Sequence, residues 1–155
     1  MKITIIAVGK LKEVFWKQAL GEYLKRLQSY AEVHVLELPD RDPARFGDAK
    51  TLELEGADVL AALPQRAHVV LLDINGTLYT SEEIAAHMHA TMNEGTSHLV
   101  FIIGGSLGVT QEVRAAAHTR MSLGRITLPH NLARVVLAEQ IYRAFRIMRN
   151  EPYHK

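Results

Sequence analysis

Apolar positions along this chain follow two alternating patterns. Apolar runs dominated by branched residues occupy positions 3–8, 32–38, 68–73, 98–103 and 125–128. Each run is short and ends in polar or turn-forming residues, which predicts five strands. Between the first two, positions 13–27 place Val14, Phe15, Ala19, Leu20, Tyr23, Leu24 and Leu27 on the single stripe of an amphipathic helix. Shorter helical stripes run over about 49–63, 81–93 and 110–118. Strict alternation of strand and helix predicts βαβ units, hence a mostly parallel sheet with helices on both faces. Ser81, followed by Glu82 and Glu83, offers a hydroxyl cap and acidic residues at a helix start. Residues 39–48, polar with two prolines and a glycine, read as a surface loop, because the same rhythm resumes after them. The expected organisation is one α/β domain over residues 1–155.

The last helical segment, about 132–148, differs from the others. Leu132, Val135, Val136, Leu137, Ala138, Ile141, Tyr142, Ala144, Phe145, Ile147 and Met148 spread over far more than one stripe. One sheet face cannot cover them all, so either a second copy of the chain covers the remainder or the helix is wrapped by its own chain.

Composition narrows the chemistry. There is no cysteine, which removes disulfides, thiolate zinc sites, iron–sulfur clusters and a cysteine nucleophile, and agrees with a cytoplasmic home. The first apolar run is too short for a signal-peptide core or a membrane span and reads as a strand. Net charge is only +1, so any nucleic-acid contact has to come from a local patch. Positions 130–155 supply a candidate, with five Lys or Arg against two Glu, and Arg134, Arg143, Arg146 and Arg149 projecting from the helix.

Three stretches carry candidate chemistry. In "HLVFIIGGSLGV" a buried strand opens into Gly104, Gly105 and Gly108, the place where open α/β sheets bind ligands. The spacing fits neither the dinucleotide fingerprint nor a P-loop. In "LLDINGTLY" Asp73 follows a strand and precedes the turn pair Asn75-Gly76; it caps that turn or orients a ribose, and no second ligand beside it points to a metal. The eight histidines show no chelating spacing either. In "SLGRITLPHNLARVVLAEQ" a short strand ends at Pro129, Asn131 offers a helix cap, and a long helix follows. These three strand ends are positioned to line one pocket.

"MKITIIAVGKLKE", "FIIGGSLG" and "ITLPHNLARVVLAEQIYRAFRIMRNEPYHK", in this order and in a chain of this length, closely resemble the RlmH family. That family comprises SPOUT-class methyltransferases acting on N3 of a pseudouridine in bacterial large-subunit ribosomal RNA. The L-P-H-x-x-x-R-V and E-P-Y-H-K elements carry most of the likeness. The resemblance implies an α/β fold with a C-terminal trefoil knot, a homodimer, a soluble enzyme without membrane attachment, and action on ribosomal RNA within the ribosome. It implies S-adenosylmethionine as cofactor, held by Leu72, Gly104, Leu123, Gly124, Arg125, Ile126, Thr127 and Leu128. It also implies a substrate site of Tyr153, His154 and Arg143, with one subunit's tail facing the other's cofactor pocket. Under that reading His154 accepts the imide proton, Tyr153 stacks on or orients the base, and Arg143 meets its oxygens or a phosphate. Two rival readings fit the residues without the resemblance: a flavodoxin-like nucleotide-binding domain using the Gly104 loop, and a non-enzymatic ribosome-binding module using the arginines.

Overall fold

The computed structural model describes residues 1–153. In chain order the elements are β1 (Lys2–Val8), α1 (Val14–Leu27), β2 (Glu32–Leu38), α2 (Pro43–Phe46), α3 (Asp48–Ala62), β3 (His68–Leu78), α4 (Ser81–Asn93), β4 (His98–Ile103), α5 (Gln111–Ala116), β5 (Thr119–Ser122) and α6 (His130–Met148). The strands form one sheet in the order β2-β1-β4-β3-β5, and every pairing is parallel. Side chains alternate across a strand, so β1 sends Ile3, Ile5 and Ala7 to one face and Ile6 and Val8 to the other. Leu99, Phe101 and Ile103 of β4 join the first set; Val100 and Ile102 join the second. Ile84 and Met88 of α4, with Leu137, Ile141 and Phe145 of α6, cover the first face, and Val59 of α3 and Val113 of α5 pack on the second. A sheet covered on both faces needs apolar residues at successive positions, which is why these strands read as runs instead of alternations.

Two expectations need correction. The fifth strand is Thr119–Ser122, not positions 125–128. The edge of β3 is taken by Thr119 to Ser122, with a register shift between Leu72 and Thr77, so positions 125–128 have no strand to pair with and form a loop. The third strand does not end at Asp73 but runs on to Leu78: Leu72 and Thr77 both pair with Met121, so residues 73–76 loop out of the ladder in a local turn that Asp73 caps at the Asn75 N–H, and Gly76 is needed there because a Cβ would meet the Arg120 backbone at 2.7 Å. Within the loop expected at 39–48, Asp42 caps the short α2, its carboxylate accepting the Ala44 N–H at 3.0 Å.

The helix caps shift too. Thr80, not Ser81, caps α4 in a reciprocal box with Glu83 (3.1 and 2.7 Å), and the Ser81 hydroxyl donates to Gln140 of α6 at 2.7 Å. Helix α6 begins at His130 and has no side-chain cap; among the described residues the buried Asn131 carboxamide oxygen has no partner. The broad apolar surface of α6 is covered largely by its own chain: α4 and α1 both pack on it, Leu20 of α1 meeting Ala138. Leu132, Val135, Val136 and Tyr142 stay half-buried.

A histidine cluster closes the β3–β5 edge. His68 stacks on His118 with ring centroids 5.0 Å apart and stands edge-on to His87 at 5.4 Å; the Thr119 hydroxyl joins His68 and His87 at 3.0 and 3.2 Å. Burial first, then repulsion from the other two imidazoles, pushes the His68 pKa below its ordinary value, and burial followed by Lys2 does the same for His98. The folded chain therefore takes up these protons less readily than the unfolded chain. The associated stability is complete above about pH 6.5 and is lost as pH falls toward the lowered values. The expected outcome is a denaturant midpoint that declines from about pH 6.5 to about pH 5, with a shallower decline in His68→Gln; a midpoint flat across that range contradicts the assignment.

Candidate functional site

Parallel strands leave their carboxyl ends and loops at one edge of the sheet, and there β3, β4 and the segment after β5 enclose a cavity of about 480 Å³. Leu72, Ile103, Leu123 and Leu128 give it an apolar wall. Polar groups converge from Asp73, Ser106, Arg114, Thr127 and His130. A volume of this size and a lining of this kind suit one small organic ligand.

Each wall has a local cause. After β4 the chain doubles back through Gly104 to Gly108, closed by the Gly108 N–H donating to Gly105 O at 3.0 Å, with Gly108 at φ +83°. The buried Glu55 carboxylate of α3 backs Gly105 and accepts the Arg41 N–H at 2.8 Å, which ties α3 to the segment after β2. After β5 the Ser122 hydroxyl donates to Gly124 O (2.8 Å) and accepts Gly124 N–H (3.2 Å), holding Gly124 at φ +140°. Asp73 accepts the Asn75 N–H at 3.0 Å and two hydrogen bonds from Arg120 at 3.0 and 2.8 Å, with Arg114 at 3.6 Å. Burial alone raises the Asp73 pKa; the Asn75 and Arg120 hydrogen bonds outweigh it and hold the carboxyl below its ordinary value.

Of the eight residues implied as cofactor contacts, Leu72, Gly104, Leu123, Gly124, Thr127 and Leu128 line this cavity. Arg125 and Ile126 do not, and Ile126 is 73% exposed. Tyr153 and Arg143 lie elsewhere. The Tyr153 hydroxyl donates to Glu139 at 2.9 Å, Arg143 donates to the same carboxylate oxygen at 2.6 and 2.9 Å, and the guanidinium lies 4.1 Å from the Tyr153 ring centre. Ten residues of α6 separate Arg143 from Ala133 at the cavity, about 15 Å along the axis. Among the described residues, then, none of this cluster lines the cavity. His154 lies outside the described residues. Burial, then the Glu139 hydrogen bond, pushes the Tyr153 pKa up to about 12, so near neutrality this phenol is a donor. Burial draws Arg143 down, but its hydrogen bond to Glu139 wins and its pKa stands above the ordinary value.

The cationic face expected on α6 does not form as read. Arg134 is fully buried, Arg146 pairs with Glu151 at 2.9 Å and donates to the Tyr30 hydroxyl, and Arg149 lies over the Tyr30 ring at 4.5 Å. The fold turns these cations inward or onto neighbouring rings and carboxylates. The sequence reading also gave no task to His130, Ser106 or Arg114, all of which line the cavity. The signal for His130 lay in the L-P-H-x-x-x-R-V spacing, which sets His130 and Arg134 one helical turn apart.

A family model described as "Predicted SPOUT methyltransferase" matches residues 1–154. The chain is 49% identical over 159 residues, covering all of both chains, to a protein of Listeria monocytogenes serotype 4b named "Ribosomal RNA large subunit methyltransferase H". Proteins of the same name from Bacillus cytotoxicus and Bacillus thuringiensis are 48% and 47% identical, again over all of both chains.

Gly104 offers a test of the cavity wall. A Cβ there would stand 2.7 Å from Val109 Cγ1 and 3.0 Å from Gly108 O, so Gly104→Ala has to push the loop open. The variant is expected to lose about 1–3 kcal/mol in denaturant unfolding and to exchange the amides of residues 105–109 faster. Parent-like stability and exchange contradict this packing.

Proposed function

The chain belongs to the SPOUT methyltransferase family, and on that premise we propose that it methylates N3 of a pseudouridine in large-subunit ribosomal RNA, using S-adenosylmethionine, on the assembled ribosome and hence in the cytoplasm. The observation that carries this reading is the cavity. Its size, its apolar wall and its polar side chains fit an adenosyl group with a charged amino-acid arm, and most of the residues implied by the resemblance line it. The family's C-terminal knot belongs to the same reading. After β5, at one edge of the sheet, the chain returns past β3 and β4 to reach β1, where Arg134 donates to Gly9 O at 2.7 Å.

S-adenosylmethionine, when bound, supplies a methyl group already activated on sulfur. The protein's task is then to align that carbon with N3 of the base and to take the imide proton. Leu72, Leu123 and Leu128 exclude water around the cofactor, and the Gly104 and Gly124 loops offer backbone groups to its polar edges. His154 is the proton acceptor in this reading. Tyr153, a neutral phenol with Arg143 on its face, orients the base, and the Arg143 guanidinium meets its oxygens or a phosphate. Because the Tyr153 cluster and the cavity are separated within one chain, the site is composite: a homodimer sets one subunit's tail beside the other's cavity, through the half-buried side of α6.

A calorimetric titration with S-adenosylmethionine, FMN and NAD, followed by transfer of labelled methyl to ribosomes from a strain lacking the modification, tests the reading. Binding of S-adenosylmethionine alone and label in large-subunit RNA are expected. Deleting residues 152–155 is expected to keep cofactor affinity within about threefold and to abolish transfer, since neither Pro152 nor Tyr153 is among the residues that line the cavity. Binding of FMN in place of S-adenosylmethionine, or cofactor binding without any transfer by the full chain, overturns it.

A further inference from the structure

The L-P-H-x-x-x-R-V stretch holds two side chains to which the proposed function gives no role. His130 is the first residue of α6 and lines the cavity; Arg134, one turn later, is 0% exposed. The Arg134 Nη2 donates to Gly9 O at 2.7 Å and, more weakly, to Val8 O at 3.3 Å, and it lies 3.2 Å from His130 Nδ1. Nη2 has two N–H groups for these three contacts and shares one of them between Val8 O and the ring; a guanidinium carries donors only, so in this contact His130 Nδ1 is the acceptor and is bare. In a neutral imidazole the proton then sits on Nε2. Gly9, whose φ of +94° favours glycine, lies beside the ring: a Cβ there would stand in ordinary van der Waals contact with His130 Cε1 at 3.4 Å.

Neutrality follows from the surroundings. Burial first, then the Arg134 charge, pushes the His130 pKa below its ordinary value, against the opposing pull of the Asp40 and Glu13 carboxylates. Protonation would also place a second donor against the guanidinium. Among the described residues, Nε2 has no hydrogen-bond partner. The start of α6 adds the positive end of a 19-residue helix on the same side of the cavity.

We propose that His130 is a ligand-binding residue of this cavity: its Nε2–H, fixed in that tautomer by Arg134, donates a hydrogen bond to an anionic oxygen. This rests on the function proposed above, under which two such oxygens arrive, the cofactor's carboxylate and the oxygen of the deprotonated base. Arg134 is the positioning residue. The role resembles that of a backbone amide at an oxyanion site, except that an imidazole, kept uncharged, supplies the donor.

Long-range proton–nitrogen correlation spectra of nitrogen-15-labelled protein read the tautomer directly. Nε2 protonated and Nδ1 bare is expected from pH 7 upward; the opposite tautomer, or a charged ring at pH 7, overturns the proposal. Two substitutions then separate its parts. His130→Asn keeps an acceptor toward Arg134 and loses the donor to the cavity, whereas His130→Gln carries an amide donor to about the Nε2 position. In His130→Asn the Kd for S-adenosylmethionine is expected to rise roughly ten- to a hundred-fold if the anion is the carboxylate. If the anion is on the base, Kd holds and kcat on ribosomes at saturating cofactor falls by the same factor. His130→Gln recovers most of either loss. A His130→Asn variant matching wild type in both quantities overturns the role of His130. Wild type that binds no S-adenosylmethionine overturns the functional reading instead, so the two failures are distinguishable.

Discussion

A guanidinium with no exposure to water is costly, and this fold places one where its chain has the most to hold together. Arg134 donates to Val8 O and Gly9 O at the end of β1, to the Glu37 carboxylate of β2 at 3.0 Å, and to His130 of its own helix. Glu37 in turn accepts the Leu11 N–H at 2.6 Å, so the chain leaving β1 is gathered into the same network. Of the three guanidinium nitrogens of Arg134, only Nε lacks a partner among the described residues. The desolvation that lowers its pKa is opposed first by the hydrogen bond to Glu37 and then by the charges of Glu37 and Asp40. Removing the side chain would take a donor from two backbone carbonyls and the ion-pair partner from Glu37, which among the described residues keeps only the Leu11 N–H, and this ranks the residue among the larger single contributions to the fold.

That network fixes where α6 begins, and the start of α6 fixes the cavity. The strand β5 lies at one edge of the sheet and Arg134 is anchored near the other, so residues 123–129 are drawn across the carboxyl ends of β3 and β4. Stretched there, they present Leu123, Thr127 and Leu128 to the Gly104 loop, leaving Ile126 outward. The cavity is thus a consequence of one buried cation holding a returning segment, and His130 is the point at which that cation communicates with the ligand.

The sheet was legible because covered parallel strands are written as apolar runs, and four of the five runs are strands. The fifth misled for a physical reason. Ile126, Thr127 and Leu128 have strand-like side chains, but Thr119–Ser122, with an arginine and two hydroxyls, holds the pairing edge, and only tertiary context decides between them. Arg134 was read as a surface cation because arginines are rarely buried, and nothing in the local pattern marks the carbonyls it would meet. The cavity wall was legible at Leu72, Gly104 and Leu123, where glycines and strand ends coincide. The distance between that wall and the Tyr153 cluster was not, since helix length along α6 separates residues that a family motif lists side by side.

That separation makes the composite site the central claim, and mixing subunits measures it most directly. A variant with a blocked cavity, such as Gly104→Val, and a variant lacking residues 152–155 are each expected to be inactive alone. Half of randomly exchanged dimers pair one of each, and each such dimer carries one complete site, so the mixture should recover about a quarter of wild-type methyl transfer. No recovery after demonstrated subunit exchange would contradict the account and return the tail to the cavity of its own chain.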